Sequence, residues 1–209
     1  MIRNLVFDIG NVLVDWNPVP HLNKWANSPE EATLLKTIVF DGPEFKNGDK
    51  GLFTREDTKQ ALLQRYPEYA QQIQRALAEC DDYLTINAGN TDLLKELKAA
   101  GFRLYFLSNT NPSAFEYMTS RYEVFALMDG GVASFKCGFL KPGEEIFLHF
   151  LEKFQLKAEE CVFCDDMPEN TAGAAACGFH TVTLHDINQL REELMKYEDV
   201  RNAMSKLEV

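Results

Sequence analysis

The chain is short of positive charge. Its 21 lysines and arginines face 32 aspartates and glutamates, a formal net charge of −11. A surface this acidic argues against nucleic acid and anionic membranes, since both need a basic footprint. An anionic small substrate stays possible, because one lysine, backbone N–H groups and a cation can reverse the sign within a pocket. Long apolar runs are also missing, and every one falls well below the roughly 20 residues of a membrane span. No signal peptide is read at the N-terminus, where a strand starts almost at once. A disulfide framework is missing too. Five cysteines, at 80, 137, 161, 164 and 177, are an odd number in a chain of this size and read as reduced thiols of a cytoplasmic protein. Cys161 and Cys164 have C-x-x-C spacing, but they flank Val162-Phe163 in an apparent buried strand, where residues three apart face opposite ways. With no second pair nearby, they read as core residues rather than zinc ligands. The four histidines share no spacing that suggests a site, and there is no internal repeat or low-complexity stretch.

What is present is alternation. Apolar runs at Leu5–Phe7, Leu104–Leu107 and Cys161–Cys164 each end in a small or acidic polar residue: Asp8, Ser108 and Asp165-Asp166. Runs of that kind fit central parallel strands buried on both faces. Phe125–Met128, ending at Asp129, and Thr181–Leu184 are read as further strands. Between them lie helical patterns at Thr91–Ala100, Pro112–Arg121, Pro142–Phe154 and Pro168–Cys177, and a last helix from about Asn188 onward. Strand–helix alternation predicts an α/β fold with a doubly wound, parallel, Rossmann-like sheet.

From Asp15 to Asn87 the character changes. No convincing strand is visible, and Val19–Trp25, Pro29–Val39, Thr54–Tyr66 and Pro67–Cys80 read as helices. Thr54 ahead of three charged residues is a plausible N-cap, and Gly42-Pro43 and Lys50-Gly51 look like connections. The reading is therefore an α/β core of residues 1–14 and 88–209, with an all-helical insert, 15–87, after the first strand.

Open parallel sheets bind ligands beyond the carboxyl ends of their strands. Asp8, Ser108-Asn109, Asp165-Asp166 and the loop residue Lys141 should therefore converge. Their chemistry is coherent. Asp8 and an acid of the third strand supply hard oxygen ligands for Mg²⁺. Ser108 and Lys141 can bind phosphate oxygens, as can the turn after Asp8, where Asn11 lies. One oxygen of Asp8 is then available to attack phosphorus and form an aspartyl-phosphate.

At these residues the chain resembles the haloacid dehalogenase-like hydrolase superfamily. The matching stretches are FDIGNVLVD, LSNT, the lysine of GFLKPGEEIF, and VFCDDMPENTAGA, in the family's order and across the whole core. The FDxGNV form, with LSNTN and DD, is similar to a helical-cap subgroup that includes sugar-1-phosphate phosphatases and the phosphatase domain of soluble epoxide hydrolases. The resemblance implies that Asp8 is the nucleophile, that Ser108, Asn109 and Asn11 bind the phosphoryl group, and that Lys141 steadies both. It implies Mg²⁺ held by Asp8, the Gly10 carbonyl and Asp166, with Asp165 behind them and Asn170 orienting the acidic loop. It also implies that residues 15–87 form a cap. The expected substrate is a small phosphorylated metabolite, a sugar phosphate first of all; monomer or dimer stays open.

Gly10 departs from the family's commonest pattern, which has a second aspartate there as general acid and base. Losing such help costs on the order of 10²–10⁴ in rate. Three readings stay open: a leaving group that needs no proton, a stand-in such as Asp15 or a cap residue, or a non-catalytic phosphate- or partner-binding protein. A 2-haloacid dehalogenase is the alternative within the fold, but it needs no metal and leaves Asp165-Asp166 without a task. Trp16, His21 and Trp25 are read equally as a lining for the cap side of the pocket or as the cap's own core.

Overall fold

The first strand, β1 (Asn4–Phe7), lies at the centre of a five-stranded sheet. A computed structural model describes residues 1–207. Beside β1 run β4 (Arg103–Ser108) and β6 (Cys161–Asp165), with β5 (Gly130–Ala133) and β7 (His180–Thr183) outside them. The order is β5-β4-β1-β6-β7 and every pairing is parallel. Side chains of β1 alternate between two cores. Leu5 and Phe7 face one, built with helices α6 (Ala88–Ala99), α11 (Leu190–Leu194) and α12 (Glu198–Met204) through Leu93, Leu94, Leu97, Leu190 and Val200. Val6 faces the other, shared with Ile146, Phe147 and Phe150 of α9 (Glu144–Phe154) and Ala174 of α10 (Pro168–Ala176). Two-sided burial is why these strands are unbroken apolar runs. Cys161 belongs to the second core and Cys164 to the first, as expected of residues three apart on a strand. All five thiols are free.

Three sequence readings are corrected. Phe125–Met128 is not a strand. Residues Glu123–Leu127 form a 3₁₀ turn closed by hydrogen bonds such as Met128 N–H to Phe125 O (3.3 Å), and the strand follows at Gly130. The apolar run is spent on packing, with Phe125 6.1 Å from Phe106. The strand itself carries glycines because aromatic rings already cover both its faces at that point: a Cβ on Gly130 would lie 2.5 Å from Phe154, and one on Gly131 2.3 Å from Phe106. The final helix is two short ones, α11 and α12, interrupted at 195–197.

The third correction concerns the insert. It is not all helical: β2 (Val14–Trp16) and β3 (Leu84–Ile86) pair antiparallel at its base. Between them stand α1 (Val19–Leu22), α2 (Pro29–Phe40), α3 (Pro43–Asp49), α4 (Arg55–Arg65) and α5 (Ala70–Glu79). Between the connections at Gly42 and Lys50-Gly51 lies helix α3, which the sequence reading does not assign and which starts at Pro43 itself. These helices bury a core of their own, including Leu22, Leu35, Val39, Leu62, Ile73 and Leu77. Thr54 caps α4 in a reciprocal box with Asp57. Among the described residues, no helix is long and apolar enough to cross a membrane.

Candidate active site

Sheet register places the chemistry. Phe7 is level with Phe106 and Cys164, so Asp8 and Asp165 stand side by side one residue later and Ser108 one further along. The Asp8 N–H donates to Cys164 O at 2.8 Å, which fixes the carboxylate at the carboxyl edge of the sheet. Lys141 arrives from the loop before α9. Both polar atoms of the Asn109 side chain hold its backbone: Nδ2 donates to Lys141 O (3.0 Å) and Oδ1 accepts from Lys141 N–H (2.9 Å). Lys141 Nζ lies 2.9 Å from Asp8 Oδ1 and 2.5 Å from Asp165 Oδ2.

Asp165 is fully buried and its carboxylate is fully employed. Besides Lys141 it accepts from Asn170 Nδ2 (3.0 and 3.1 Å) and from Met167 N–H (2.8 Å). Asp166 is half-buried and accepts from Asn11 Nδ2 at 2.9 Å. Asn11 adopts a left-handed conformation (φ 53°), and its Oδ1 receives Trp16 N–H at 2.9 Å. Left-handed backbone is tolerated by asparagine better than by most residues. Asn11 thus ties the turn after Asp8 to Asp166, with one amide hydrogen on Asp166 and the second not used by these bonds. In the same turn, Ile9 N–H is taken by Asp8 Oδ1 and Asn11 N–H by Val14 O; Gly10 N–H has no acceptor among the described residues.

Charge is out of balance here. Oxygens of Asp8, Asp165 and Asp166 can all lie within 4.8 Å of one another, against one lysine. Burial pushes the Asp8 carboxyl up, opposed by Lys141 and reinforced by Asp165. Burial also raises Asp166, with its bond from Asn11 acting the other way. Burial alone would lower Lys141, but the two aspartates beside it more than reverse that and keep it an ammonium. The carboxylates of Asp8 and Asp166, with the charge of Asp165 behind them, fit a divalent cation such as Mg²⁺.

Above this cluster opens a cavity of about 680 Å³. The sheet edge supplies its floor: Asp8, Gly10, Ser108, Asn109, Lys141 and Asp166. The insert supplies Trp16, Phe40, Phe45, Lys36, Lys46 and Asp49. Trp16 therefore faces the cavity, edge-on to Phe40 at 5.4 Å. His21 instead stacks on Tyr83 at 4.5 Å, and Trp25 packs on the insert's own core. Asp15 is exposed and lines a separate hollow with His185. Asp49 went unnoticed in the sequence because its helix lies, unassigned, between two apparent connections. Asn111, which caps α7 (Pro112–Arg121), carried one signal, an Asn-Pro pair at a helix start.

The model of the haloacid dehalogenase-like hydrolases matches residues 2–178. The chain belongs to that family. Among curated relatives, this hydrolase is 28% identical over 181 residues to the sesquiterpene phosphatase astK of Aspergillus oryzae, covering 87% of this chain and 89% of that one. It is 26% identical to the D-ribitol-5-phosphate phosphatase of Bacteroides thetaiotaomicron over 218 residues, covering 93% and 97%. Two further relatives are longer, and the match spans 36% and 18% of their lengths. A solved magnesium complex of a haloacid dehalogenase family enzyme from Bacteroides thetaiotaomicron superposes with a TM-score of 0.69 at 24% identity, covering 88% of this hydrolase and 93% of that chain, which is a likeness of fold.

Proposed function

We propose that this hydrolase is a Mg²⁺-dependent phosphatase of small phosphorylated metabolites, working through an aspartyl-phosphate on Asp8. The observation that carries the reading is the pairing of Asp8 with a buried ammonium, 2.9 Å away, inside a cluster of three carboxylates. A nucleophile that must approach an anion needs positive charge around the transferring group, and Lys141 and a bound cation are the sources at hand. Asp8, Asp166 and the Gly10 carbonyl would hold Mg²⁺, while Asp165 holds Lys141 in place. The ion supplies Lewis-acid neutralisation of phosphoryl charge when bound.

Ser108 and the Gly10 N–H then receive the phosphoryl oxygens. Asp8 attacks phosphorus, the bond to the ester oxygen breaks, and water later releases phosphate and regenerates Asp8. Asn109 and Asn11 act at one remove, through the Lys141 loop and Asp166. The helical insert would serve as a cap that covers the substrate and excludes water. The cavity is far larger than a phosphate ion, in the range of pockets for small organic ligands. A sugar phosphate is the first substrate class to test, with an isoprenoid phosphate second because Trp16, Phe40 and Phe45 give the cavity an apolar wall. Dehalogenation leaves the three-carboxylate cluster without a task and is disfavoured.

The test is phosphate release from a panel of sugar and isoprenoid phosphates, with and without Mg²⁺, for wild type and Asp8→Asn. Metal-dependent release that falls on the order of 10³-fold or more in Asp8→Asn is expected. No release from any member of the panel would favour a phosphate-binding protein.

A further inference from the structure

Glycine at position 10 leaves the reaction without a proton donor beside the nucleophile. A Cβ built there meets only the Trp16 Cβ, at 3.8 Å, so a side chain can start there without a clash. The donor must come from another wall of the same cavity. No histidine, cysteine or tyrosine lines it. Outside the cluster already described, its titratable groups are Lys36, Asp41, Lys46, Asp49 and Glu169. Lys36, half-buried, and Asp41, exposed, are spent on each other at 2.7 Å, and Lys46 and Glu169 are exposed. Asp49 differs from all of these. It is half-buried, it ends helix α3 of the insert, and among the described residues it has no ion pair.

Its position is fixed from the core side. Ser134 Oγ donates to Asp49 O at 2.6 Å, seating the end of α3 on the start of the short helix Ser134–Cys137 that follows β5. The side chain of Asn111 lies beside the Asp49 carboxyl and acts to lower it. Asn111 Oδ1 is already occupied by Ala114 N–H at 3.0 Å, so its amide Nδ2 is the group that faces Asp49. Asp49 and Asn111 both line the cavity.

We propose that Asp49 is the general acid and base of this hydrolase, supplied by the insert in place of the side chain that Gly10 lacks. The assignment rests on the phosphatase reading above. As Asp8 forms its bond to phosphorus, the ester P–O bond breaks with its electron pair on the leaving oxygen, and that oxygen takes the proton of Asp49. In the second half, the Asp49 carboxylate takes a proton from water as the water oxygen attacks phosphorus. The acyl-phosphate P–O bond then breaks, freeing phosphate and the Asp8 carboxylate. Burial first, then the charge of Asp8, lifts the Asp49 carboxyl to about 7 against the effect of Asn111, which suits a group that gives and takes protons near neutrality. A donor on the insert also means that its arrival over the substrate completes the catalytic set.

The experiment compares 4-nitrophenyl phosphate, whose leaving group departs without a proton, with phenyl phosphate, whose leaving group needs one. The readout is kcat/KM with Mg²⁺ for wild type, Asp8→Asn, Asp49→Asn and Gly10→Asp/Asp49→Asn, each checked for folding by circular dichroism. Asp49→Asn is expected to lose on the order of 10²-fold more on phenyl phosphate than on 4-nitrophenyl phosphate. Gly10→Asp in that background is expected to recover most of the loss. Equal losses on both substrates, or no loss, would overturn the assignment. If wild type turns over neither substrate in an Asp8-dependent way, the phosphatase reading itself fails and the assignment falls with it.

Discussion

At the scale of residues, side chains of one type divide by surroundings. Asp165 never reaches the cavity; it is a buried anchor for Lys141, Asn170 and the turn at Met167. Asp49 faces Asn111, feels the charges of Asp8 and Lys46, and has no cation against it. That has a consequence for stability which needs no substrate. The folded-state value, about 7, is raised above the ordinary 3.8, so the folded protein holds this proton more tightly than the unfolded chain does. The resulting stabilisation is complete below pH 3.8 and is lost as pH rises through about 7. Asp49→Asn removes the titration at nearly unchanged size and shape. In metal-free protein, the variant is expected to gain on wild type as pH rises from 4 to 8, by on the order of 1–3 kcal/mol at the upper end. Urea unfolding at several pH values measures this, and a gap that does not change with pH would contradict it.

At the scale of elements, the sequence is legible where one force dominates. β1, β4 and β6 are buried on both faces, so their apolar runs and the polar residue ending each can be read directly. Asp8, Ser108 and the Asp165-Asp166 pair could be named for that reason, whereas Lys141, on a loop, is singled out by its place before Pro142 in the motif. β5 could not be read, because its Gly130-Gly131 pair records the rings of other elements rather than any strand preference. Helix α3 was hidden by its flanking glycines, and with it Asp49. The short β2 and β3 exist only because they pair with each other across seventy residues. The glycine of β5 gives a direct check. A methyl on Gly131 would press on Phe106 as far back as Cγ, at 2.5 Å, so rotating the ring cannot clear it. Phe106 is itself held by Phe115 and Phe125 at 5.5 and 6.1 Å. Gly131→Ala is expected to destabilise the protein by about 1–3 kcal/mol, seen as a lower denaturation midpoint with unchanged slope.

At the scale of the whole molecule, the acidic cluster lies where sheet and insert meet, so a cation there is linked to the stability of the folded chain. Ligands that bind only the folded state raise the melting temperature by mass action, about 2.7 kcal/mol at a hundred times the dissociation constant. For a chain of this length that is a rise on the order of 5–10 °C. Mg²⁺ is expected to produce such a rise in wild type and little of it in Asp166→Asn, followed by differential scanning calorimetry. An equal rise in both proteins would remove Asp166 from the set of ligands.

The β2–β3 ribbon carries one more implication. Val14 pairs with Ile86 and Trp16 with Leu84, so the chain leaves the sheet and re-enters it at neighbouring positions. To the sheet, everything between is a closed excursion that alters neither strand order nor register. Closing so long a loop costs little more entropy than closing a shorter one. Descent can therefore lengthen, shorten or exchange the excursion while the inherited strand ends stay as they are. Under the assignment of Asp49, such an exchange would carry the proton donor along with the walls of the cavity. Selectivity and acid–base chemistry would then be inherited as one unit, and the nucleophile as another.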